Sequence, residues 1–372
     1  MNKKTLPSSL KGLRVGLFPY GTTGNPYQRM IAEALTLAGF APQAVPKKNW
    51  FALRQAVAQP VDVLQMYWPH SLFQGASPLA SALKRLMYLE GLRALEQKPF
   101  VYSVENLYPH DSPDTARDIR MIQRLLDRVD ACVVMARASE EIFRQTYRLP
   151  AGMECHLVPH RNYLDIYPHG VSREEARRRL ELPPTTPVVL FLGRLLWYKG
   201  LDRLLPAFLQ LNAPEATLVL AGKPSEADFV PALEQRLATH RQPHSGKVRM
   251  DAKFVPDDEI QCYMNAADIV VLPYADMPIN PGSLILAMGF GKAIVSPAKG
   301  ATPEIAGPSV LFGYDENQPN GLADALQRAL GANDLAARGR EAADRARTNH
   351  SKERVAAAFD GLYTRLADRL RG

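Results

Sequence analysis

Short apolar runs alternate with longer amphipathic stretches along the whole chain, and that alternation predicts the architecture before any motif is considered. In the first half, LRVGLFPY (13–20), PVDVLQMYW (60–68), PFVYSVEN (99–106), ACVVMA (131–136) and MECHLVPH (153–160) have strand character. Between them, NPYQRMIAEALTLAGF (25–40), SPLASALKRLMYLEGLRALEQK (77–98), ARDIRMIQRLLDRVD (116–130) and SEEIFRQTY (139–147) read as amphipathic helices, the last with Ser139 as its expected N-cap. Near-continuous apolar strands alternating with helices predict a parallel sheet covered on both faces.

A Pro- and charge-rich stretch at 161–187 reads as a connector, after which the pattern restarts. PVVLFLG, ATLVLAG, VRMDAKFV, DIVVLPY and KAIVSPA supply strands, and LDRLLPAFLQL, PALEQRLATHR, DDEIQCYMNAA, GSLILAMGFG and NGLADALQRAL supply helices. A last amphipathic helix, SKERVAAAFDGLYTRLADRL, covers 351–370. The expectation is an α/β protein of two doubly wound, Rossmann-like domains, 1–168 and 169–349, facing a cleft, with 350–372 as a C-terminal helix. No repeat of solenoid period is present. In such folds ligands bind beyond the carboxyl ends of the strands, so the loops at 20–28, 66–76, 104–115, 193–200, 222–226, 253–258 and 274–283 are the ones to inspect.

Composition narrows the partners. The 372 residues are 46% hydrophobic and 22% charged, ordinary for a soluble protein and enough for two cores. No apolar run approaches a membrane span. The amino terminus carries only VGLF as an apolar run, too short for a signal peptide, so a cytoplasmic protein is expected. Cys132, Cys155 and Cys262 are distant in sequence and lack a CxxC spacing, which predicts reduced thiols and no zinc site. The net charge of +7 is uneven: residues 1–168 carry 20 Lys and Arg against 14 Asp and Glu, and the remainder 25 against 24. A basic first half implies an anionic partner, either a phosphorylated substrate or an anionic membrane surface. No aromatic-interleaved basic stripe supports nucleic acid.

One loop carries recognisable chemistry. In FLGRLLWYKGLDRLL, Gly193 permits a tight exit from a strand and Gly200 a close backbone approach, while Arg194 and Lys199 offer a fork and a point charge. Ahead of a helix amino terminus they suit a phosphate, and above all a diphosphate gaining charge as it leaves. Solvated loop charges are the plainer alternative.

GRLLWYKGLDRLL resembles the Gly-Arg, four residues, Lys-Gly loop of GT-B fold glycosyltransferases. ATLVLAGKP, KFVPDDEIQCYMNAADIVVLPY, GKAIVSPAKGATPEI and AAFDGLYTRL resemble that group's later segments in the group's order. The retaining members of the group place two glutamates eight positions apart near the donor sugar and ribose; here those positions hold Pro278 and Leu286, so the contacts must differ. A helix amino terminus at Gly282 and Ser283 remains for the diphosphate. In the first half, FPYGTTGNPYQRMIAEAL, QMYWPH, VYSVENLYPHD and VPHRNYLDIYP resemble bacterial exopolysaccharide glycosyltransferases of the xanthan-type β-mannosyltransferase kind, although Glu105-Asn106 replaces their usual His-Asn.

The resemblance implies an inverting hexosyl transfer, from GDP-mannose to a polyprenyl-diphosphate-linked oligosaccharide, with no cofactor and no metal. Neither an Asp-x-Asp pair nor HExxH is present. Inversion needs a base for the acceptor hydroxyl, and Glu105 or Asp111, with His110 beside it, is expected to supply it. Buried pairing of Glu105 with Arg161 and helix capping by Asp111 are the structural alternatives. Asn25, Tyr27 and Gln28 could contact the acceptor or cap their helix. Trp68 and His70, His160 and Tyr274 stand at other strand ends and complete the expected contacts. The helix at 77–98, with Lys84, Arg85, Arg93 and Lys98 beside six apolar positions, reads as an ordinary surface helix or as one resting on anionic lipid at the inner face of the cytoplasmic membrane. A UDP-sugar-dependent glucosyl or glucuronosyl transferase, a sugar-nucleotide epimerase and a non-catalytic partner in polysaccharide assembly are the rivals.

Overall fold

In a computed structural model the described residues are 4–21, 25–109, 112, 114–226, 228–274 and 282–371. They form two compact units, residues 1–161 with 350–372, and residues 162–349.

Unit 1 runs β1 (Arg14–Tyr20), α1 (Tyr27–Leu37), β2 (Ala41–Pro46), α2 (Ala52–Val57), β3 (Val63–Met66), α3 (His70–Phe73), α4 (Pro78–Leu92), β4 (Phe100–Ser103), α5 (Thr115–Leu126), β5 (Ala131–Val134), α6 (Arg137–Thr146) and β6 (Glu154–Leu157). Among the described residues its sheet has six parallel strands in the order β2-β1-β3-β4-β5-β6. Every residue of β3, β4 and β5 is buried, which is why these strands read as unbroken apolar runs.

Unit 2 runs α7 (Arg173–Arg179), β7 (Val188–Leu192), α8 (Leu201–Leu209), β8 (Thr217–Ala221), α9 (Phe229–His240), β9 (Lys247–Asp251), α10 (Ile260–Ala266), β10 (Ile269–Val271), α11 (Gly282–Gly289), β11 (Ala293–Pro297), α12 (Thr302–Ala306), β12 (Leu311–Tyr314), α13 (Gly321–Leu330) and α14 (Leu335–Asn349). Its six parallel strands take the order β12-β11-β10-β7-β8-β9. The doubly wound architecture follows the alternation in the sequence.

The last helix, α15 (Lys352–Arg371), packs on α1 in unit 1. Tyr363 anchors it, edge-on to Phe40 with 5.1 Å between ring centroids. Its hydroxyl donates to Gln65 Oε1 at 2.8 Å, and Gln65 Nε2 donates to Ser103 Oγ at 2.7 Å. This buried chain satisfies its polar members, so it costs little and specifies how the helix seats.

Two sequence readings change, and a third, the reduced cysteines, gains a spatial relation. The stretch 161–187 is more than a connector: it contains α7 and the fully buried Arg177, whose guanidinium donates to the carbonyls of Ala266, Pro183, Pro184 and Thr186 and pairs with Asp268 at 2.7 Å. Ser139 is not the N-cap of α6, which starts two residues earlier behind Ala136. Cys132 and Cys155, far apart in sequence, lie directly opposite each other on β5 and β6 as free thiols.

Candidate functional site

Strand order locates the site in each unit. In unit 2 the chain winds from β7 outward through β8 and β9, then returns to the other flank of β7 through β10, so the topological switch lies between β7 and β10. The loops leaving those two strands diverge there and leave a crevice.

The β7 loop is held by glycines. A β-carbon on Gly222, at φ +147°, would lie 1.8 Å from the Gly193 carbonyl oxygen, and one on Gly200, at φ +79°, would lie 1.8 Å from the Pro273 carbonyl oxygen. No other residue type fits either contact. The loops after β7 and β8 then run side by side, with Leu195 N donating to Lys223 O at 3.0 Å and Ser225 N to Leu195 O at 3.1 Å. A 3-10 turn at Trp197–Lys199 leads through Gly200 into α8 and brings Lys199 back over the strand end. Its Nζ would touch a β-carbon on Gly193 at 3.2 Å.

Arg194 and Lys199 are therefore neighbours. Arg194 is exposed and Lys199 half-buried. Burial, with the Arg194 charge adding to it, pushes the Lys199 ammonium down to about 8. Among the described residues no carboxylate lies within ion-pair distance of either cation. Two adjacent cations, one partly desolvated and neither neutralised, are costly without a ligand and suited to a dianion.

The β10 end meets them. Tyr274 is hydrogen-bonded to Ser283 in the first turn of α11 and lies near Tyr198, and burial raises its phenol to about 12. Arg203, in the first turn of α8, donates to the Pro273 carbonyl at 3.1 Å. Arg203 also faces Glu316 at 3.9 Å, and Lys299 closes on the same carboxylate. Thus Arg194, Lys199, Tyr274, Gly282 and Ser283 gather at one crevice. The sequence reading passed over Arg203 and Glu316; the place of Arg203 in the LDRLL run directly after the Lys-Gly step was the available signal for the first, and the second had none. Pro278 lies outside the described residues; Leu286 is half-buried on α11.

In unit 1 the switch lies between β1 and β3. Trp68, just past β3, has φ +43°, a left-handed conformation that a bulky residue adopts only under constraint from its surroundings. It lines a small cavity with His70, Tyr102, Glu105, Asn106 and Tyr108. Glu105 is 1% exposed at the carboxyl end of β4. Arg161, its partner in the plainer reading, pairs with Glu33 at 2.6 Å.

The other predicted contacts divide. Asn25 accepts from Tyr27 N at 3.0 Å, across Pro26, the N-cap of α1. Gln28 is buried and donates to the Pro19 carbonyl at 2.8 Å. Tyr27 is buried against Trp68, with ring centroids 6.2 Å apart, and against His160 at 5.0 Å. His160 is itself 2% exposed, hydrogen-bonded through Nδ1 to Arg161 O, and pushed down to about 4 by burial. Tyr27, Gln28 and His160 support the loop from within, whereas Asn25 is exposed. His110 and Asp111 lie outside the described residues; the cap of α5 is Asp114, which accepts from Arg117 N at 2.9 Å.

Comparisons with known proteins bear on the fold and the enzyme class. Residues 172–346 match the family of glycosyl transferases group 1. The chain is similar to a GDP-mannose:glycolipid 4-beta-D-mannosyltransferase of Xanthomonas campestris pv. campestris, 25% identical over 301 residues that cover 78% of this chain and 76% of that one. A D-inositol 3-phosphate glycosyltransferase of Corynebacterium glutamicum is 27% identical over 291 residues, covering 73% and 68%. Among solved structures, the sucrose-phosphate synthase of Thermosynechococcus elongatus superposes with a TM-score of 0.70 at 19% identity, over 96% of this chain and 99% of that one. Anabaena HepE in complex with UDP and glucose superposes with a TM-score of 0.72 at 16% identity, over 95% and 99%. The fold is GT-B, and the enzyme class is glycosyltransferase.

Proposed function

We propose that this GT-B glycosyltransferase moves mannose from GDP-mannose onto a polyprenyl-diphosphate-linked oligosaccharide, with inversion, as a step in exopolysaccharide assembly at the inner face of the cytoplasmic membrane. The observation that carries the donor half is the pair of unneutralised cations, Arg194 and Lys199, over the switch point of unit 2. A diphosphate supplies the missing negative charge, and the α11 amino terminus at Gly282 and Ser283 adds backbone donors. GDP-mannose and a glycolipid acceptor are supported by the name of the Xanthomonas relative.

In this reading the acceptor hydroxyl attacks the anomeric carbon as the bond from that carbon to the diphosphate oxygen breaks. Glu105 takes the hydroxyl proton, and Arg194 and Lys199 hold the charge that arrives on the departing GDP. Glu105 is buried beside Trp68 and Tyr102, in the small cavity at the end of β4. No metal or cofactor takes part in the proposal; the two cations do the neutralising.

A thermal-shift panel of GDP, UDP, ADP and their sugar conjugates tests the donor. A ligand at a hundred times its Kd stabilises by about 2.7 kcal/mol, a shift of several degrees. Selective response to GDP and GDP-mannose is expected. Response to UDP compounds alone overturns the mannosyl donor in favour of a glucosyl or glucuronosyl one.

A further inference from the structure

Exposed large apolar side chains are not scattered over this protein. Of the nine among the described residues, six lie in one region of unit 1: Leu79, Leu83, Leu86 and Leu89 on α4, and Trp50 and Phe51 on the loop before α2. The first three repeat at four- and three-residue intervals and so share one face of the helix. Leu79 is 72% exposed and Leu86 59%. Only Tyr88, Gly91 and Leu92 of the fifteen residues of α4 are buried, so the helix turns its more apolar face away from its own core. That is the reverse of an ordinary surface helix.

Cations surround this face. A groove beside α4 is lined by Lys47, Lys48, Trp50, Lys84 and Met87, with no acidic side chain in its walls. Lys47 and Lys84 donate to neighbouring carbonyls, of Ser71 at 2.8 Å and of Gln74 at 2.6 Å, which sets the two ammonium groups near one another. No carboxylate of a described residue pairs with Lys47, Lys48, Lys84, Arg85 or Arg93; the one acid on the leucine face, Glu90, is taken by Arg54 at 3.3 Å. An apolar stripe could be a contact for another protein, but the cores of such contacts are depleted in lysine. Leucines flanked by unneutralised lysines are complementary to a surface that is apolar within and anionic at its boundary.

We infer that this face of unit 1 docks on an anionic phospholipid surface, with Leu79, Leu83, Leu86, Trp50 and Phe51 entering the headgroup–acyl boundary and Lys47, Lys48 and Lys84 holding lipid phosphates. The inference rests on the proposed function in one respect, since a lipid-borne acceptor is the reason to sit at a bilayer. It assigns the contact to named residues that no transfer step uses.

Co-sedimentation of the full chain with vesicles of phosphatidylcholine, alone or mixed with phosphatidylglycerol, tests it. Binding to the mixed vesicles only is expected. Lys47→Gln with Lys48→Gln weakens it roughly fivefold per lysine. Leu79→Ser, Leu83→Ser and Leu86→Ser together weaken it about tenfold or more. Unchanged nucleotide response in a thermal shift shows that each variant is folded. Absence of binding by the wild type, or full binding by the leucine variant, overturns the inference; so does a wild-type dimer in size-exclusion chromatography that the leucine variant dissolves, because the face is then a contact between copies. Vesicle binding without any nucleotide response leaves the surface standing and removes the donor reading, and the converse removes the surface alone.

Discussion

The two switch points share a topology and differ in everything that fills them. In unit 1 the ends of β1 and β3 are stoppered by rings: Tyr27 and Tyr67 are buried, Trp68 is held in a left-handed conformation, and His160 packs at a tilt against Tyr27. In unit 2 the ends of β7 and β10 meet through glycine backbone, and what stands over them is cationic. One crevice is shaped by packing, the other by the absence of side chains. The same strand order thus hosts different chemistry, because the fold supplies only the divergence of two loops and the residues on them decide what binds.

The comparison is broken most severely at Gly222. A β-carbon 1.8 Å from the Gly193 carbonyl cannot be absorbed by side-chain motion. Gly222→Ala is expected to destabilise unit 2 by on the order of 4 kcal/mol or more and to abolish nucleotide response, read by denaturant titration and thermal shift. A stable Gly222→Ala protein with normal response contradicts the backbone contact. Next in size, Lys199→Ala is expected to lower turnover about 10²-fold or more, as loss of a transition-state charge contact does. Near-wild-type turnover in that variant removes Lys199 from the mechanism.

Protonation sharpens the contrast between the units. Lys199, pushed down to about 8, loses its proton as pH rises through that value, whereas bound diphosphate favours the charged form. Nucleotide affinity should therefore fall above about pH 8, by at most about tenfold per pH unit, with proton uptake on binding there visible by calorimetry in two buffers of different ionisation enthalpy. Affinity that stays flat to pH 9.5 counts against the Lys199–diphosphate contact. Stability is the poorer readout, because Lys292, also lowered to about 8 by burial, titrates in the same window; both native groups release protons before their unfolded counterparts do, so stability rises between about pH 8 and 10.5.

Unit 1 responds on the acid side. Burial lowers His160 from its model-peptide value to about 4, so the unfolded chain binds the proton first. Its contribution is present above about pH 6.5 and is lost as pH falls toward 4, at up to about 1.4 kcal/mol per pH unit. A denaturant midpoint for unit 1 that is independent of pH across that window would show the imidazole is not buried neutral. The smallest effect is expected at Tyr363→Phe, which breaks the bond to Gln65 and costs about 1 kcal/mol without touching donor response.

Much was legible in the sequence, for a physical reason in each case. Strands buried on both faces must be continuously apolar, so β3, β4, β5, β7 and β8 could be read directly. The Gly-Arg…Lys-Gly loop was legible because its glycines and cations are needed locally, within eight residues. The GT-B expectation came from the resemblance of that loop, and of the segments that follow it in order, to the group's own. Tertiary structure alone decided the rest. β2 carries two prolines and is tolerated as an edge strand because its partner β1 holds it on one side. α14 is polar and buries little beyond Gly339, Ala342 and Ala346; it forms because Gly339 packs on the Gly291 carbonyl, where a β-carbon would lie at 2.1 Å. Arg177 reads as one of a run of surface arginines, and only the carbonyls of Pro183, Pro184 and Thr186 folded back on it, with distant Ala266 and Asp268, make it a core residue. α4 reads as an ordinary amphipathic helix, and only its seating shows which face is left outside. Periodicity along a chain states that a face is apolar, and the partner that covers it, or leaves it bare, is fixed by contacts the chain makes elsewhere.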